Sequence, residues 1–188
     1  MIILTTCRRP TQRIRSFIRD IQISHPNTTL LARGKLGLGD LLATARRPSS
    51  DNILPVSRWI RGPGLIELLR VNPNIVSRSP TLYLNGVRLR RGYVVRRAPR
   101  AEIVTTSTSP SSETAKFARW YSQLFGMRLL EPDATGSCKA SIHITDHSKG
   151  VRVALTSPPT ESEVGLSFTV GRIDWRTAEA VLNEDDRS

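Results

Sequence analysis

The sequence predicts an α/β protein made of two similar halves, each a mixed sheet with flanking helices. Three observations predict it. Short β-rich runs precede stretches of helical apolar periodicity, paired apolar runs flank glycine-containing turns, and a segment near the N-terminus recurs 100 residues later.

The recurrence sets the frame. "IILTTCRRPTQRIRSFIRDI" begins at Ile2 and "EIVTTSTSPSSETAKFARWY" at Glu102. Ile3, Thr5, Thr6, Pro10, Phe17 and Arg19 return as Ile103, Thr105, Thr106, Pro110, Phe117 and Arg119. In each copy a strand (Ile2–Thr6, Glu102–Thr106) runs into a polar loop. A proline then stands where the first helical turn accepts it, because its missing N–H is not needed there. The helix that follows buries Ile14, Phe17, Ile18 and Ile21 in the first copy, a spacing of i, i+3, i+4, i+7. The second copy keeps the stripe as Phe117, Ala118, Tyr121, Leu124 and Phe125.

The remaining elements follow in order. The first copy has room for a strand near Thr28–Leu31 and a second helix over Gly39–Arg47. In the second, "MRLLEPDATGSCKA" keeps the strand and drops the helix. "NILPVSRWIRGPGLIELLRV" is a hairpin on an Arg-Gly-Pro-Gly turn, and "SIHITDHSKGVRVALTS" is one on Lys149–Gly150. "PTLYLNGVRL" and "VGLSFTVGRI" supply a last strand each, and Asp174–Leu182 reads as a closing helix. A strand–helix–strand unit pairs parallel and a hairpin antiparallel, hence mixed sheets. The boundary falls near Arg97–Ala101, giving a half over 1–98 and another over 99–188.

Charge divides the same way. The chain of 188 residues carries net +12. Residues 1–100 hold 19 Lys/Arg against four acids, whereas residues 101–188 hold nine against twelve. A half so one-sided repels itself, and a polyanionic partner explains it best. No apolar run approaches the ~20 residues of a membrane span, and "MIILTTCRRP" does not read as a signal peptide. Cys7 and Cys138 make no disulfide framework, so free thiols in a reducing cytoplasm are expected.

The candidate contacts are arginines. Arg8, Arg9, Arg13, Arg15 and Arg19 crowd the start and exposed face of the first helix, where the dipole favours anions. A bound phosphate reverses the sign of that misfit. The second copy has Thr108 and Ser109 where the first has Arg8 and Arg9, so the scaffold does not require the charge. "NGVRLRRGYVVRRAPR" adds Arg88, Arg90, Arg91, Arg96 and Arg97, and "ARGKLGLG" adds Arg33 and Lys35. Tyr93 reads as a packed aromatic rather than a base-stacking platform.

Catalysis has little to stand on. The nucleophile-elbow, P-loop and dinucleotide patterns are all missing. Cys138, His143 and His147 offer three zinc ligands where a structural site takes four, so no metal is expected. No cofactor and no small-molecule substrate is expected either. An RNA-binding module leads. A scaffold whose arginines meet an acidic protein, or a stand-alone tRNA- or DNA-binding module, stays open beside it.

Taken together, "LTTCRRPTQRIRSFIRDI", "RGKLGLGDLL", "SRWIRGPGLIELLRV" and "PTLYLNGVRLRR" give a pattern that resembles the Brix family of ribosome-biogenesis proteins. The likeness covers nearly all of residues 1–97 and is nearest to short archaeal members related to the small-subunit processome protein. It implies a duplicated fold like the anticodon-binding domain of class IIa aminoacyl-tRNA synthetases. It also implies binding to ribosomal RNA precursors, alongside other assembly proteins, without catalysis.

Overall fold

A computed structural model describes residues 1–34, 36–45, 52–59, 62–71, 75–93, 99–131, 138–157 and 162–181. The chain is mixed α/β with few helices, and it divides into two compact units. One comprises Met1–Ile18, Thr28–Tyr83 and Arg172–Ser188, and the other Arg19–Asn27 and Leu84–Gly171. Each therefore draws on both sides of residue 98.

In the first unit β1 (Ile2–Thr6) lies between two parallel neighbours. Ile2 is in register with Thr28 of β2 (Thr28–Leu30) and with Asn52 of β3 (Asn52–Trp59). Two antiparallel pairings carry the sheet on to β4 (Gly62–Val71) and β5 (Ile75–Arg88). Helix α1 (Gln12–Ser24) follows β1, and α2 (Leu38–Ala45) follows β2. Ile14 and Phe17 are fully buried, as the helical stripe requires, and Ile3, Leu41, Ile53, Leu69, Val71 and Val76 form a core cluster. Burying a side chain of this size contributes about 1.5–3 kcal/mol.

The second unit follows the same plan. β6 (Ile103–Thr106) lies between β7 (Arg128–Leu130) and β8 (Ser141–His147), parallel to both. β9 (Gly150–Ser157) and β10 (Ser162–Asp174) continue antiparallel. Helix α3 (Ser112–Phe125) packs on β6, β7 and β8, burying Phe117, Ala118, Tyr121 and Phe125. Strand order is β2-β1-β3-β4-β5 in one unit and β7-β6-β8-β9-β10 in the other.

Three expectations need correction. Pro10 and Pro110 are not in the first helical turn. Thr11 caps α1, its Oγ1 accepting from the Ile14 N–H at 3.3 Å, and Ser111 caps α3, accepting from Thr114 N at 3.2 Å. Each proline stands just before a cap, because a hydroxyl satisfies a free N–H that proline cannot. Gly62 and Pro63, read as turn residues, already belong to β4, paired with Trp59 and Arg58. The closing helix is absent. Residues up to Asp174 continue β10, and Ala178–Val181 form β11, antiparallel to the start of β5. Helix propensity is a weak preference, and a free sheet edge overrode it here. Leu182 lies outside the described residues.

Candidate nucleic-acid interface

Parallel pairing places the carboxyl ends of β1, β2 and β3 at one end of the first unit's sheet. The loops that leave β1 and β2 there lead directly into α1 and α2. In open α/β sheets this end collects loops and helix N-termini, and ligands bind there. The β1–α1 loop is pinned at its base. Cys7 N donates to Val56 O at 3.0 Å, Leu31 N to Leu4 O at 2.9 Å, and Thr5 Oγ1 to Leu31 O at 2.9 Å.

On this base the chain sets its cations. Arg8 and Arg9 are exposed in the loop, and Arg13 and Arg15 are exposed on the first turns of α1. The first turn of α1 holds no acid. Arg8 stretches to the head of α2, where a Cβ on Gly37 would meet Asp40 Oδ2 at 3.5 Å and Arg8 Nη2 at 3.8 Å. Asp40 itself accepts from Gly37 N at 2.7 Å, the reach-back half of a capping box. Arg13 lies along the opening of β4, its Cδ 3.9 Å from a Cβ built on Gly62. Arg33 is half-buried in the β2–α2 loop and donates from Nε to Leu36 O at 3.4 Å. Five of the candidate arginines thus meet at one sheet end.

Sequence reading missed Arg58. It is exposed at the end of β3, two residues past Val56, which is in register with Thr6. A register shift in the β3–β4 pairing falls between Ser57 and Arg58, and such bulges re-aim a side chain. Only the pairing register reveals this position. In sequence Arg58 is one arginine in a hairpin.

The second unit treats the same end in the opposite way. Thr106 is in register with Ile144, and two residues on stands Asp146. Its Oδ2 accepts from Ser111 N at 2.8 Å, and its Oδ1 accepts from Ser111 Oγ at 2.5 Å and Thr114 Oγ1 at 2.6 Å. Hydrogen bonds from Ser111 and Thr114 hold this carboxyl below the usual range, though it is exposed. The positions of Arg8, Arg9, Arg13, Arg15 and Arg58 correspond to Thr108, Ser109, Glu113, Ala115 and Asp146 in the second unit. Formal charge changes from plus five to minus two.

Arg19, Arg88, Arg90 and Arg91 belong to the second unit, and two of them have internal work. Arg90 and Arg91 sit in a 3-10 turn (Arg90–Gly92) just past the end of β5. Arg90 N donates to Asp20 Oδ2 at 2.9 Å, and its Nε lies 3.8 Å from Asp20 Oδ1. Burial pushes the Asp20 carboxyl up, against the opposing pull of Arg90, Arg91 and Arg19. The Arg88 guanidinium lies 4.1 Å over the Tyr93 ring and donates to Gly92 O. Tyr93 Oη donates to Glu163 Oε2 at 2.8 Å and meets Ser167 Oγ at 2.7 Å. Burial raises Glu163, but hydrogen bonds from Arg152 and Tyr93 outweigh it and leave the carboxyl below its ordinary value. Lys35, Arg96 and Arg97 lie outside the described residues.

Among the described residues no group of three or more His, Cys, Asp or Glu is placed to hold a metal ion, and no helix is long and apolar enough to cross a membrane.

No family model matches the chain. It is 33% identical over 135 residues to a probable Brix domain-containing ribosomal biogenesis protein of Thermococcus kodakarensis, covering 69% of this chain and 65% of that protein. A protein of the same description from Aeropyrum pernix is 28% identical over 172 residues, covering 90% of this chain and 94% of its own. The chain matches just under two thirds of the Thermococcus relative's length and 58% of that of a Pyrococcus abyssi relative. The crystal structure of the probable ribosomal biogenesis protein from Aeropyrum pernix superposes with a TM-score of 0.70 at 26% identity, covering 93% of this chain and 96% of that one. An archaeal Imp4-like protein shares the fold, with a TM-score of 0.64 at 19% identity, covering 93% of this chain and 99% of its own.

Proposed function

The chain belongs to the Brix-domain family of ribosomal biogenesis proteins, and on that premise we propose that it is a non-catalytic RNA-binding factor acting on ribosomal RNA precursors during subunit assembly. One observation carries the reading. Arg8, Arg9 and Arg33 in two strand–helix loops, and Arg13 and Arg15 on the first turns of α1, lie at the carboxyl end of parallel strands. Guanidinium groups bind phosphate oxygens in pairs of hydrogen bonds, and such contacts supply affinity rather than sequence preference. Arg19 is exposed on α1, in the second unit, and adds to the basic half. Lys35, Arg88, Arg91, Arg96 and Arg97 add to the basic half, residues 1–98, while Arg90 holds Asp20. The half over 99–188 is net acidic and either docks a protein partner or shields the first half. The protein works in the cytoplasm.

The test is binding of the full chain to an rRNA fragment, a tRNA and duplex DNA over a range of salt, with heparin as competitor. The expected result is tightest binding to the rRNA fragment, with log K falling linearly against log salt. Binding that ignores salt, or preference for duplex DNA, overturns the reading.

A further inference from the structure

We infer that Arg58, at the carboxyl end of β3, is a phosphate-contacting residue of the RNA surface; the inference rests on the RNA-binding reading. Three observations carry it. Arg58 is exposed, and the β1–β3 register puts it two residues beyond the partner of Thr6, level with the loop that bears Arg8 and Arg9. The second unit shows how far a side chain at this strand position reaches. Asp146, likewise two residues beyond the partner of Thr106, spans the strand–helix loop and touches both Ser111 and Thr114. An arginine is longer than an aspartate, so the Arg58 side chain is long enough to span from the strand to the loop of Arg8 and Arg9.

The third observation is the sign of the charge. Asp146 supplies an internal anion to its own unit, beside the uncharged Thr108 and Ser109. The first unit has an arginine in that place, beside two more, and no acid in the first turn of α1. Arg8 also extends toward Asp40 of α2, but one carboxylate does not balance three guanidinium groups, and an anion from outside relieves the remaining repulsion. A phosphate of the RNA backbone takes the position that the Asp146 carboxylate takes in the second unit. Arg58 is therefore the strand-side wall of the phosphate site, with Arg8 and Arg9 as its loop side.

The experiment compares four full-length proteins: wild type, Arg58→Ala, Arg58→Asp, and the Arg8→Thr/Arg9→Ser double variant. The probe is a labelled rRNA hairpin titrated at several salt concentrations, and thermal unfolding is followed without RNA. Arg58→Ala is expected to weaken binding roughly tenfold at low salt and to lower the log–log salt slope by about one phosphate equivalent. Arg58→Asp is expected to weaken it further, with a melting temperature equal to or above wild type, because the new carboxylate reaches the helix cap as Asp146 does. Arg58 variants that bind as wild type does, while the Arg8/Arg9 variant is weakened, overturn the inference and leave the parent reading standing. Weakened binding accompanied by a lower melting temperature in both Arg58 variants makes the residue structural and also overturns it. A wild type that fails to bind the hairpin overturns the parent reading, and this one with it.

Discussion

His25 and Tyr121, 96 residues apart in sequence, meet in the core of the second unit. The His25 Nε2 accepts the Tyr121 hydroxyl at 2.5 Å, and both side chains are buried. The tautomer follows from the other nitrogen. Nδ1 lies 3.0 Å from the Ile21 carbonyl, which can only accept, so Nδ1 carries the proton and Nε2 the lone pair. The Phe125 ring packs against the imidazole at 4.5 Å between centroids.

Tyr121→Phe removes one hydroxyl and leaves Nε2 buried without its donor. Losing one partner of a buried pair costs about 1–3 kcal/mol. Chemical denaturation should show that loss with an unchanged m-value. A stability equal to wild type would mean that another donor, such as a water, reaches Nε2.

The same burial makes stability depend on pH. Burial pushes the His25 pKa down to about 4 from its ordinary 6.5. Between these values the unfolded chain binds a proton that the folded chain refuses, so stability falls as pH drops from 6.5 toward 4 and loses no more below that. The total amounts to about 3 kcal/mol. Asp20, whose carboxyl is pushed up by burial, opposes this trend at the lower end. Melting temperatures taken between pH 7 and 4 should fall for wild type and fall less for His25→Gln, which cannot ionise.

Asp146→Ala should loosen the head of α3. It removes the acceptor of the Ser111 N–H and of the Ser111 and Thr114 hydroxyls. Thr114 is buried, so its hydroxyl loses a partner that solvent replaces poorly. A loss of about 1–2 kcal/mol is expected, with little change in RNA affinity. A large gain in RNA affinity would instead show that this carboxylate repels the ligand.

Gly150→Ala should be severe. Gly150 has φ +124°, and a Cβ there would fall 2.0 Å from Val170 O of the neighbouring strand. The hairpin must shift, at a cost of about 3 kcal/mol or more. Unfolding of the purified variant measures it, and a cost below 1 kcal/mol would contradict the close approach.

Replacing Arg8 and Arg9 with the Thr and Ser found at positions 108 and 109 should leave the fold intact, with stability within ~1 kcal/mol of wild type. RNA affinity should drop for all sequences alike, and the log–log salt slope should flatten by about one to two phosphate equivalents. An unchanged slope would place the RNA elsewhere.

Local pattern made much of this legible. The i, i+3, i+4, i+7 stripe of Ile14, Phe17, Ile18 and Ile21 is a property of one helix, and all four are buried. The second hairpin is equally local, though its turn is Ser148–Lys149 rather than Lys149–Gly150, since Gly150 already opens β9 and pairs with His147. What sequence withheld depends on pairing. β11 forms because the start of β5 offers an edge about 100 residues earlier, and nothing within Ala178–Val181 announces it. Arg58 and Asp146 gain their meaning from parallel registers that no short window contains. His25 follows the last turn of α1 and looks like a surface residue until Tyr121 is placed beside it.

Neither compact unit is a continuous stretch of chain. One requires residues after Arg172 as well as those before Tyr83, and the other takes Arg19–Asn27 from the middle of an early helix. Synthesis runs from one end to the other, so β1 and the start of α1 emerge long before β11 can join their unit. The last turns of α1 likewise wait for Tyr121. Folding is therefore completed only when nearly the whole chain has been made. A gene broken after codon 98 would yield two polypeptides, each holding part of the other's core, and neither would finish alone.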